Sequence, residues 1–440
     1  MNFAPIDWLI VVVYLVGSLT IGILGRRYIG NVSHFLVAGR ELGLYIGIAT
    51  LAATEIGTIT FMYYAEFGYK AGFAAFAAAA ISGLVMIIVG RTGLIIGRFR
   101  ELKLMTVPEY FEVKYSRGLR VVTGCLVALG GILNMGIFLR VEGQFLTIVT
   151  GIEARHLVAV MTVILLLELV YTVLGGMVSV VITDFIQYVL LSVATILVTI
   201  YAVYHAGWGH IIDKIASTMW PAGFDPLANP RLGLTFLVWQ VLLWFAIHTC
   251  WQTTAMRIFS TKSAEVSKQV MTWTGVIFLG RGMMPMLWGI AALTLFGTGA
   301  VGAGGVPITV VNGRNLEPLE AMPAMLAQIL VNHVANVFVS LFVMFWGLYY
   351  QLPGAVYLYL NITGTIFLAG AFVCVIGGLY WKRASIAGGY AAMLMGAAGA
   401  IVPYFFLHWS ENVTGFMAFG LAAAGLILGS LATRRAPAVG

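Results

Sequence analysis

Long apolar segments alternate with short polar ones along almost the whole chain. A helix needs about 20 residues to cross a hydrocarbon core about 30 Å thick, and the apolar segments are close to or above that length. They lie at 6–24, 43–68, 72–97, 121–150, 156–174, 177–204, 233–256, 270–297, 324–350, 354–380, 385–407 and 413–433. The polar stretches between them are too short for a soluble domain. The pattern therefore predicts an all-α polytopic membrane protein, with a single transmembrane domain over residues 1–440.

The composition agrees with this pattern and excludes one class of partner. Hydrophobic residues make up 61% of the chain and charged residues 9%, against about 25% charged in soluble domains, so the lipid bilayer is the predicted solvent. The net charge of +7 comes from basic residues in the loops between apolar segments. We interpret these residues as topology signals and exclude nucleic acid as a partner.

The basic residues also predict the orientation of the chain. Placing the N-terminus outside puts the most basic loops in the cytoplasm, as expected for a multi-pass protein of the plasma (inner) membrane. The predicted inner residues are Arg26, Arg27, Arg40, Arg98, Arg100, Lys103, Lys114, Arg117, Arg120, Arg257, Lys262 and Lys268. The predicted outer residues are Lys70, Arg155, Lys214, Arg231 and Arg314.

The assignment of basic loops to the cytoplasm fails in the C-terminal third of the chain. Lys382 and Arg383 also have the character of an inner loop, which requires an odd number of crossings after the outer loop near Arg314. Only two apolar segments lie between, and neither is long enough to fold back as two spans. Either one span is absent near residues 328–334, or the C-terminal third is inverted against its charges. We favour the first interpretation.

The segment 171–187, YTVLGGMVSVVITDFIQ, carries a carboxylate within an apolar run. An Asp at the centre of a membrane helix costs about 2.5 to 3.5 kcal/mol even on the low insertion-based scales. Such a side chain should face a cavity, an ion path or a polar partner. Asp184 is therefore a predicted functional residue.

The stretch 50–60, TLAATEIGTIT, is too polar and too interrupted by glycine for a plain lipid-facing helix. We predict an unwound turn here, whose backbone carbonyls suit a hard cation that prefers oxygen ligands. Glu55 would contact a solute or an ion at this turn, or else serve as the partner of a helix end. Thr54 and Thr58 would offer hydroxyls to the same cavity, although threonines in membrane helices often bond only a carbonyl of the preceding turn.

Arg140 lies deep in the apolar segment 121–150. Its guanidinium would either clamp a carboxylate with two parallel hydrogen bonds or pair with an acidic side chain of the protein. The candidate partners are Glu55, Glu66 and Glu142, and we favour such an internal pair.

Three polar or aromatic residues lie together near the end of the segment 233–256. Trp251 would stack on a solute, and Gln252 would orient it through its amide. Their neighbour His248 is predicted to be a packing residue, because no second His or acid at ligand spacing supports a metal site.

Several motifs, in this order, resemble the sodium/solute symporter family, which includes bacterial proline and sodium/galactose symporters. They are HFLVAGREL at 34–42, MTVPEYFEVKY at 105–115, YTVLGGMVSVVITDFIQ at 171–187, QTTAMR at 252–257 and GGLYWKR at 377–383. The resemblance implies a leucine-transporter-type core of two inverted five-helix repeats, at 43–204 and 233–380. The segment 6–24 would be an extra N-terminal helix, and 385–433 would hold two C-terminal helices.

The resemblance also implies a binding site near the membrane midplane, where the first helix of each repeat is broken. By this resemblance, the carbonyls of Ala53 and Ile56 would be sodium ligands, and Asp184 would lie near the inward route of the ion. Asn134 would contact the solute, because a rough alignment places it where relatives do so.

One element of the family has no counterpart in this sequence. LEPLEAMPAMLAQIL at 316–330 resembles the approach to the eighth core helix, which in the family carries the Ser/Thr hydroxyls that complete the sodium site. The residues that follow, VNHVANVFVSLFVMFWGLYY, resemble the next helix instead. The second repeat is therefore predicted to be incomplete at the place where the charge rule fails.

Together these features suggest a transporter. We expect a secondary-active symporter that uses a sodium gradient to import a small polar organic solute by alternating access, with sodium as the coupling ion and no cofactor. No nucleophile, base and orienting group occur at recognisable spacing, so an enzyme is not expected. The alternatives are a transport-dead or sensor-type solute-binding membrane protein and a proton-coupled transporter. Arg140 would favour a carboxylate or amino acid if it faces the cavity, and the aromatic residues would favour a sugar or nucleoside if it does not.

Overall fold

The computed structural model describes residues 32–433 except 151, 302–306, 312–313 and 330–355, and before residue 32 it describes only isolated positions. In parts of two long helices, chiefly at 167–176, only the backbone is described. The predicted N-terminal span at 6–24 therefore lies outside the described residues. So does most of the segment near 328–334, where a span is predicted to be absent.

The described chain forms α-helices and one small antiparallel sheet. The helices are α1 (Val32–Val37), α2 (Leu44–Thr54), α3 (Thr58–Ala71), α4 (Phe76–Thr92), α5 (Ile96–Glu101), α6 (Val107–Lys114), α7 (Arg117–Thr150), α8 (Leu157–Ala206), α9 (Trp208–Met219), α10 (Gly233–Cys250), α11 (Gln252–Phe259), α12 (Ala264–Phe296), α13 (Pro318–Ile329), α14 (Val356–Tyr380), α15 (Ile386–Ile401) and α16 (Glu411–Ala432). The strands are β1 (Gly297–Val301), β2 (Pro307–Val311) and β3 (Arg314–Leu316), which pair in the order β1-β2-β3. Among the described residues, eight helical stretches are long and apolar enough to cross a membrane. The predicted helical, multi-pass architecture is thus confirmed, with one sheet that the apolar pattern does not predict.

Two of the predicted spans, 43–68 and 233–256, are interrupted by non-helical residues. α2 ends at Thr54 and α3 begins at Thr58, so residues 55–57 form the non-helical turn that the polar stretch 50–60 predicts. α10 and α11 are separated at Trp251, whose φ of −67° and ψ of 126° are extended rather than helical. Each break leaves N–H groups of the following helix and C=O groups of the preceding helix without partners inside their own helix. In a membrane protein such groups are tolerated where they are buried in protein or line a polar cavity.

α8 differs from the prediction of two separate spans at 156–174 and 177–204. The structure has one continuous helix of 50 residues, Leu157–Ala206, which corresponds to a length of about 75 Å. The glycine pair at 175–176 does not end the helix, because glycine in a helix interior costs only about 1 kcal/mol and no proline is present to clash with a preceding carbonyl. Within α8, the described stretch Val180–Ala206 is long and apolar enough to cross a membrane.

α3 and α12 pack with their backbones in direct contact. A Cβ atom added at Gly289 would lie 1.8 Å from the carbonyl oxygen of Ala65, and one at Gly68 would lie 2.1 Å from that of Met286. Only glycine fits at either position, because real Cβ atoms do not approach other atoms so closely. Small residues commonly allow membrane helices to approach in this way, since van der Waals packing drives their association.

Loops that the sequence assigns to the same side of the membrane lie together in the structure. In the predicted inner set, Arg40 donates a hydrogen bond to the carbonyl of Lys103, and Arg100 Nε donates to Thr261 O at 2.6 Å. These contacts join the loop before α2 to the loop before α6, and α5 to the loop before α12, at one end of the molecule.

The inner loops lie beyond the C-terminal end of α4, and predicted outer residues meet near its N-terminal end. Arg231 Nη1 donates to Lys70 O at 3.1 Å. The neighbouring Tyr69 Oη donates to Pro307 O at 2.8 Å, which fixes the small sheet at the same end. The two groups of basic loops are thus separated as the sequence predicts, and which group faces the cytoplasm stays a prediction.

Candidate functional site

A cavity of about 260 Å³ lies where the two helix breaks face α7, α12 and α14. Its polar lining includes Thr54, Glu55, Asn134, Arg281 and Asn361, and its aromatic lining includes Tyr63, Trp244, Trp251 and Tyr357. The volume is below the range of about 300 to 1,000 Å³ that is typical of pockets for drug-sized ligands. A wall of mixed polar and aromatic groups around such a volume suits a small organic solute.

Asp184, on α8, contacts both α2, which ends at the first break, and α11, which begins after the second. The residue is 7% exposed. Its Oδ2 accepts hydrogen bonds from Thr50 Oγ1 at 2.5 Å, Thr54 Oγ1 at 3.2 Å and Arg257 Nη2 at 3.3 Å. The polar partner expected from the cost of a membrane carboxylate is therefore present, as a buried ion pair with Arg257 that is supported by two hydroxyls.

Glu55, in the first break, is bound to the start of α11 and also lines the cavity. Its Oε1 accepts a hydrogen bond from Thr254 Oγ1 at 2.7 Å and a longer one from Thr253 Oγ1 at 3.5 Å. Both hydroxyls lie in the first turn after the second break, so the carboxylate lies at the positive end of α11. The two roles considered for Glu55, helix-end partner and cavity residue, therefore occur together.

The backbone of the first break turns back on itself. The Ile56 N–H donates to Ala53 O at 3.0 Å, so one lone pair of this carbonyl is used in the described conformation. Thr58 is buried at the start of α3 and lies outside the lining of the cavity. Ala53 and Ile56 thus lie at the break that the sequence predicts, and the ligand role assigned to their carbonyls stays a prediction.

Trp251 and Gln252 are neighbours at the second break, but their side chains lie in different places. Trp251 lines the cavity. Gln252 Oε1 instead accepts the N–H of Val107 at 3.0 Å, and the side chain lies in a groove beside α6 and α7. Consecutive residues at the start of a helix point in different directions, so only one of this pair faces the cavity. The structure therefore places Gln252 away from the predicted solute site.

Arg140, on α7, lies outside the lining of the cavity. Two of the acids considered as its partners are engaged elsewhere: Glu66 pairs with Lys70 at 2.5 Å, and Glu55 with the hydroxyls of α11. The side chain of Glu142 lies outside the described residues. The structure thus brings Arg140 neither into the cavity nor into a pair with Glu55 or Glu66.

Two further candidates are fixed by contacts between helices. Asn134 lines the cavity, and its Oδ1 accepts a hydrogen bond from Thr363 Oγ1 at 2.5 Å. His248 Nε2 lies 3.1 Å from Ser82 O, and its ring stacks on Trp244. Asn134 therefore remains a candidate for contact with a solute, and His248 is a packing residue, as predicted.

The cavity also contains an arginine that is not among the predicted residues. Arg281, on α12, is 6% exposed, and its Cζ lies 3.5 Å from the centroid of the Phe278 ring. The signal that identifies it is the one used for Asp184, since Arg281 is a charge inside the apolar segment 270–297. Asn361, on α14, lines the same cavity and is also absent from the predicted set.

Comparison with known proteins agrees with the motifs. The model of the Sodium:solute symporter family matches residues 35–345. The chain is 26% identical over 276 residues to a putative sodium-dependent multivitamin transporter of Drosophila melanogaster, a match covering 61% of this chain and 44% of the relative. It is 26% identical over 276 residues to the sodium/glucose cotransporter of Vibrio parahaemolyticus, covering 59% and 49% of the two chains. It is 24% identical over 349 residues to the sodium/proline symporter of Staphylococcus aureus (strain Newman), covering 75% and 62%. The chain thus spans about half the length of the curated relatives it matches.

Among solved structures, the chain is similar to a Na⁺-coupled sialic acid symporter in a substrate-bound, outward-open state. The TM-score is 0.78 at 15% sequence identity, and the match covers 100% of both chains. At this identity the likeness establishes the fold alone, and it confirms the predicted leucine-transporter-type architecture. Because the family model extends over most of the chain, this protein belongs to the sodium:solute symporter family.

Proposed function

We propose that the protein is a secondary-active symporter that couples an inward sodium gradient to the import of a small polar organic solute by alternating access. Family membership, the transporter fold and the described membrane-spanning helices support this function. The solute would bind in the cavity between the two helix breaks, in contact with Thr54, Glu55, Asn134 and Trp251. The proposed location is the plasma (inner) membrane, with the N-terminus outside.

The proposed sodium site lies at the first break. Ala53 and Ile56 would supply carbonyl oxygens, and Asp184 a nearby carboxylate, which are oxygen ligands suited to a hard cation. In the described conformation, the positive charge beside Asp184 comes from Arg257. A sodium ion would act as an alternative counter-charge, so its arrival would weaken the contact between α8 and α11.

The observation that carries this proposal is the position of Thr54. Its hydroxyl donates to Asp184 Oδ2 at 3.2 Å, and the same residue lines the cavity. Thr54 is also the last residue of α2, so it moves with any change in the first break. Ordering of the break by sodium would therefore raise the affinity of the cavity for the solute. By linkage, the solute would raise the affinity for sodium by the same factor.

Uptake into proteoliposomes tests this function. The full chain is reconstituted with potassium inside, and accumulation of labelled glucose, proline, lactate and sialic acid, the classes named for similar proteins, is measured with sodium or choline outside. We expect at least one solute to accumulate above its external concentration only with an inward sodium gradient. A sodium ionophore should abolish the accumulation, because it collapses the gradient that drives it.

The other outcomes identify the alternatives. Equal uptake in sodium and choline would overturn sodium coupling, and accumulation driven by an inward proton gradient would identify a proton-coupled transporter. Sodium-dependent binding without accumulation would identify a transport-dead solute-binding protein. The last alternative is favoured by the incomplete second repeat that the sequence predicts near residues 328–334.

A further inference from the structure

The cavity holds a positive charge that the proposed sodium site does not use. Arg281 is 6% exposed, and its Nη1 is buried without a hydrogen-bond partner among the described residues. Tyr64 lies beside the guanidinium, and the Phe278 ring covers one face, yet neither satisfies Nη1. A guanidinium keeps its charge in proteins, and a buried N–H without an acceptor is costly. We therefore expect a ligand in the cavity to supply the acceptor for Nη1 of Arg281.

Three further N–H groups on the cavity wall are also unpaired. Asn361 Nδ2, Trp244 Nε1 and Arg257 Nε are buried and, within the described part of the chain, without an acceptor. The Tyr357 hydroxyl lies beside Asn361 and Trp244 and donates to Gln240 Oε1 at 2.6 Å, but neither N–H reaches its oxygen in hydrogen-bond geometry. All of these unsatisfied cavity atoms are N–H donors, so the cavity wall is matched to a ligand rich in acceptor oxygens.

The charges around the cavity favour a ligand with one negative charge. Asp184 and Arg257 form an ion pair with each other. Glu55 is held by the hydroxyls of Thr254 and Thr253, and no carboxylate of the described residues forms an ion pair with Arg281. A sodium ion entering with a monoanion would add no net charge to the cavity, whereas sodium with a neutral solute would add one positive charge. Burial of net charge in a low-dielectric site is costly.

We infer that the solute is a small organic monocarboxylate whose carboxylate binds Arg281 and the Asn361 amide. This inference rests on the proposed solute cavity. The planar guanidinium presents donors in the geometry that a carboxylate accepts. The organic part of the solute would lie against the aromatic wall formed by Tyr63, Trp244 and Trp251. The carboxylate clamp that the sequence suggests for Arg140 is thus assigned to a different helix, α12.

Matched pairs of acid and amide test the inference on the full-length protein in nanodiscs. The probes are lactate and lactamide, benzoate and benzamide, and nicotinate and nicotinamide, each titrated in sodium chloride while the thermal unfolding midpoint is followed. In the wild type, at least one acid should raise the midpoint at concentrations where its amide does not. Loss of a charged hydrogen bond corresponds to roughly a 10- to 100-fold lower affinity, which is the change expected for the acid in Arg281→Gln.

Two more variants supply a second test of the carboxylate site and a matched control. Asn361→Asp keeps the shape of the side chain but adds a competing negative charge, so it should also exclude the acids. Arg140→Gln is the matched control, because it removes an arginine outside the cavity lining and should leave the preference for acids unchanged. A monodisperse size-exclusion profile is required of each variant, and Arg281→Lys replaces Arg281→Gln if the latter fails to fold. The lysine keeps the charge but loses the fork of donors, and should weaken acid binding less.

The results separate this inference from the proposed function. Equal binding of acids and amides, failure of every acid to bind, or acid binding unchanged in Arg281→Gln would each overturn the inference. Sodium-driven uptake of a neutral solute such as glucose, with no acid bound, would overturn the inference while symport stands. Acid binding that needs Arg281 but never leads to sodium-driven accumulation would uphold the inference while symport fails.

Discussion

Arg257 Nη2 donates to Asp184 Oδ2 at 3.3 Å, and this buried pair joins α11 to α8 beside the end of α2. The pair is the point where both broken helices meet one unbroken helix. Thr50 and Thr54 donate to the same carboxylate oxygen, so the contact includes the last turn of α2. Its energetic weight can be measured by removing one charge.

We predict that Asp184→Asn destabilises the protein and abolishes coupled transport. Arg257 would be left buried without its counter-charge, a change that costs about 3 to 5 kcal/mol in buried pairs. The measurements are the thermal unfolding midpoint and sodium-driven uptake. Asp213→Asn is the control, because Asp213 is exposed on α9. An Asp184→Asn protein with the stability and sodium dependence of the wild type would contradict the role assigned to the pair.

We predict that Thr254→Val lowers the free energy of solute binding more than it lowers the free energy of unfolding. The change is nearly isosteric and removes the 2.7 Å hydrogen bond to Glu55 Oε1, so the carboxylate loses its main partner and its fixed position in the cavity. Hydrogen bonds to charged groups contribute about 1.5 to 3 kcal/mol. Thr294→Val on α12 is the control, since that hydroxyl bonds Ile290 O of its own helix at 2.9 Å. Equal binding constants for the two variants would argue against a cavity role for Glu55.

We predict that Gly289→Ala lowers the thermal unfolding midpoint well below that of Gly280→Ala. Both glycines lie on α12, but a Cβ at Gly289 meets Ala65 O at 1.8 Å, whereas one at Gly280 meets only the flexible end of Met284, at 3.6 Å. Overpacking of this kind costs about 1 to 3 kcal/mol or more. Similar midpoints for the two variants would mean that α3 and α12 are not in backbone contact.

We predict that Tyr69→Phe loosens the small sheet without unfolding the helices. The change removes the hydroxyl that donates to Pro307 O at 2.8 Å, a bond that contributes about 1 kcal/mol. Hydrogen exchange followed by mass spectrometry should show faster exchange in β2 and unchanged exchange in α12. Tyr204→Phe serves as the control, because Tyr204 is 80% exposed. No change in β2, or equal changes in both variants, would show that this bond does not hold the sheet.

The sequence is informative wherever a polar group is costly in lipid. The run at 50–60 predicts the break between α2 and α3, and the cost of a membrane carboxylate predicts a polar partner for Asp184; the structure has both. The same argument identifies Arg281, a charge inside the segment 270–297, which is otherwise a regular apolar span.

The remaining differences depend on local backbone geometry, which apolar periodicity does not determine. Whether Trp251 or Gln252 faces the cavity depends on the dihedral angles at the second break. Whether the glycine pair at 175–176 forms a turn depends on packing rather than on propensity. The sheet has a local signal, the β-formers at 308–311 followed by Asn-Gly at 312–313, but the apolar pattern that predicts membrane spans does not reveal strands.

The glycine contacts between α3 and α12 limit how this protein can move. Gly68 lies against the backbone of Met286, and Gly289 against that of Ala65, so sliding of one helix along the other would drive main-chain atoms together at two points. The two helices must therefore travel as one rigid body. The non-helical residues between α2 and this body are 55–57, so under the proposed alternating-access function they would be the hinge about which α2 swings.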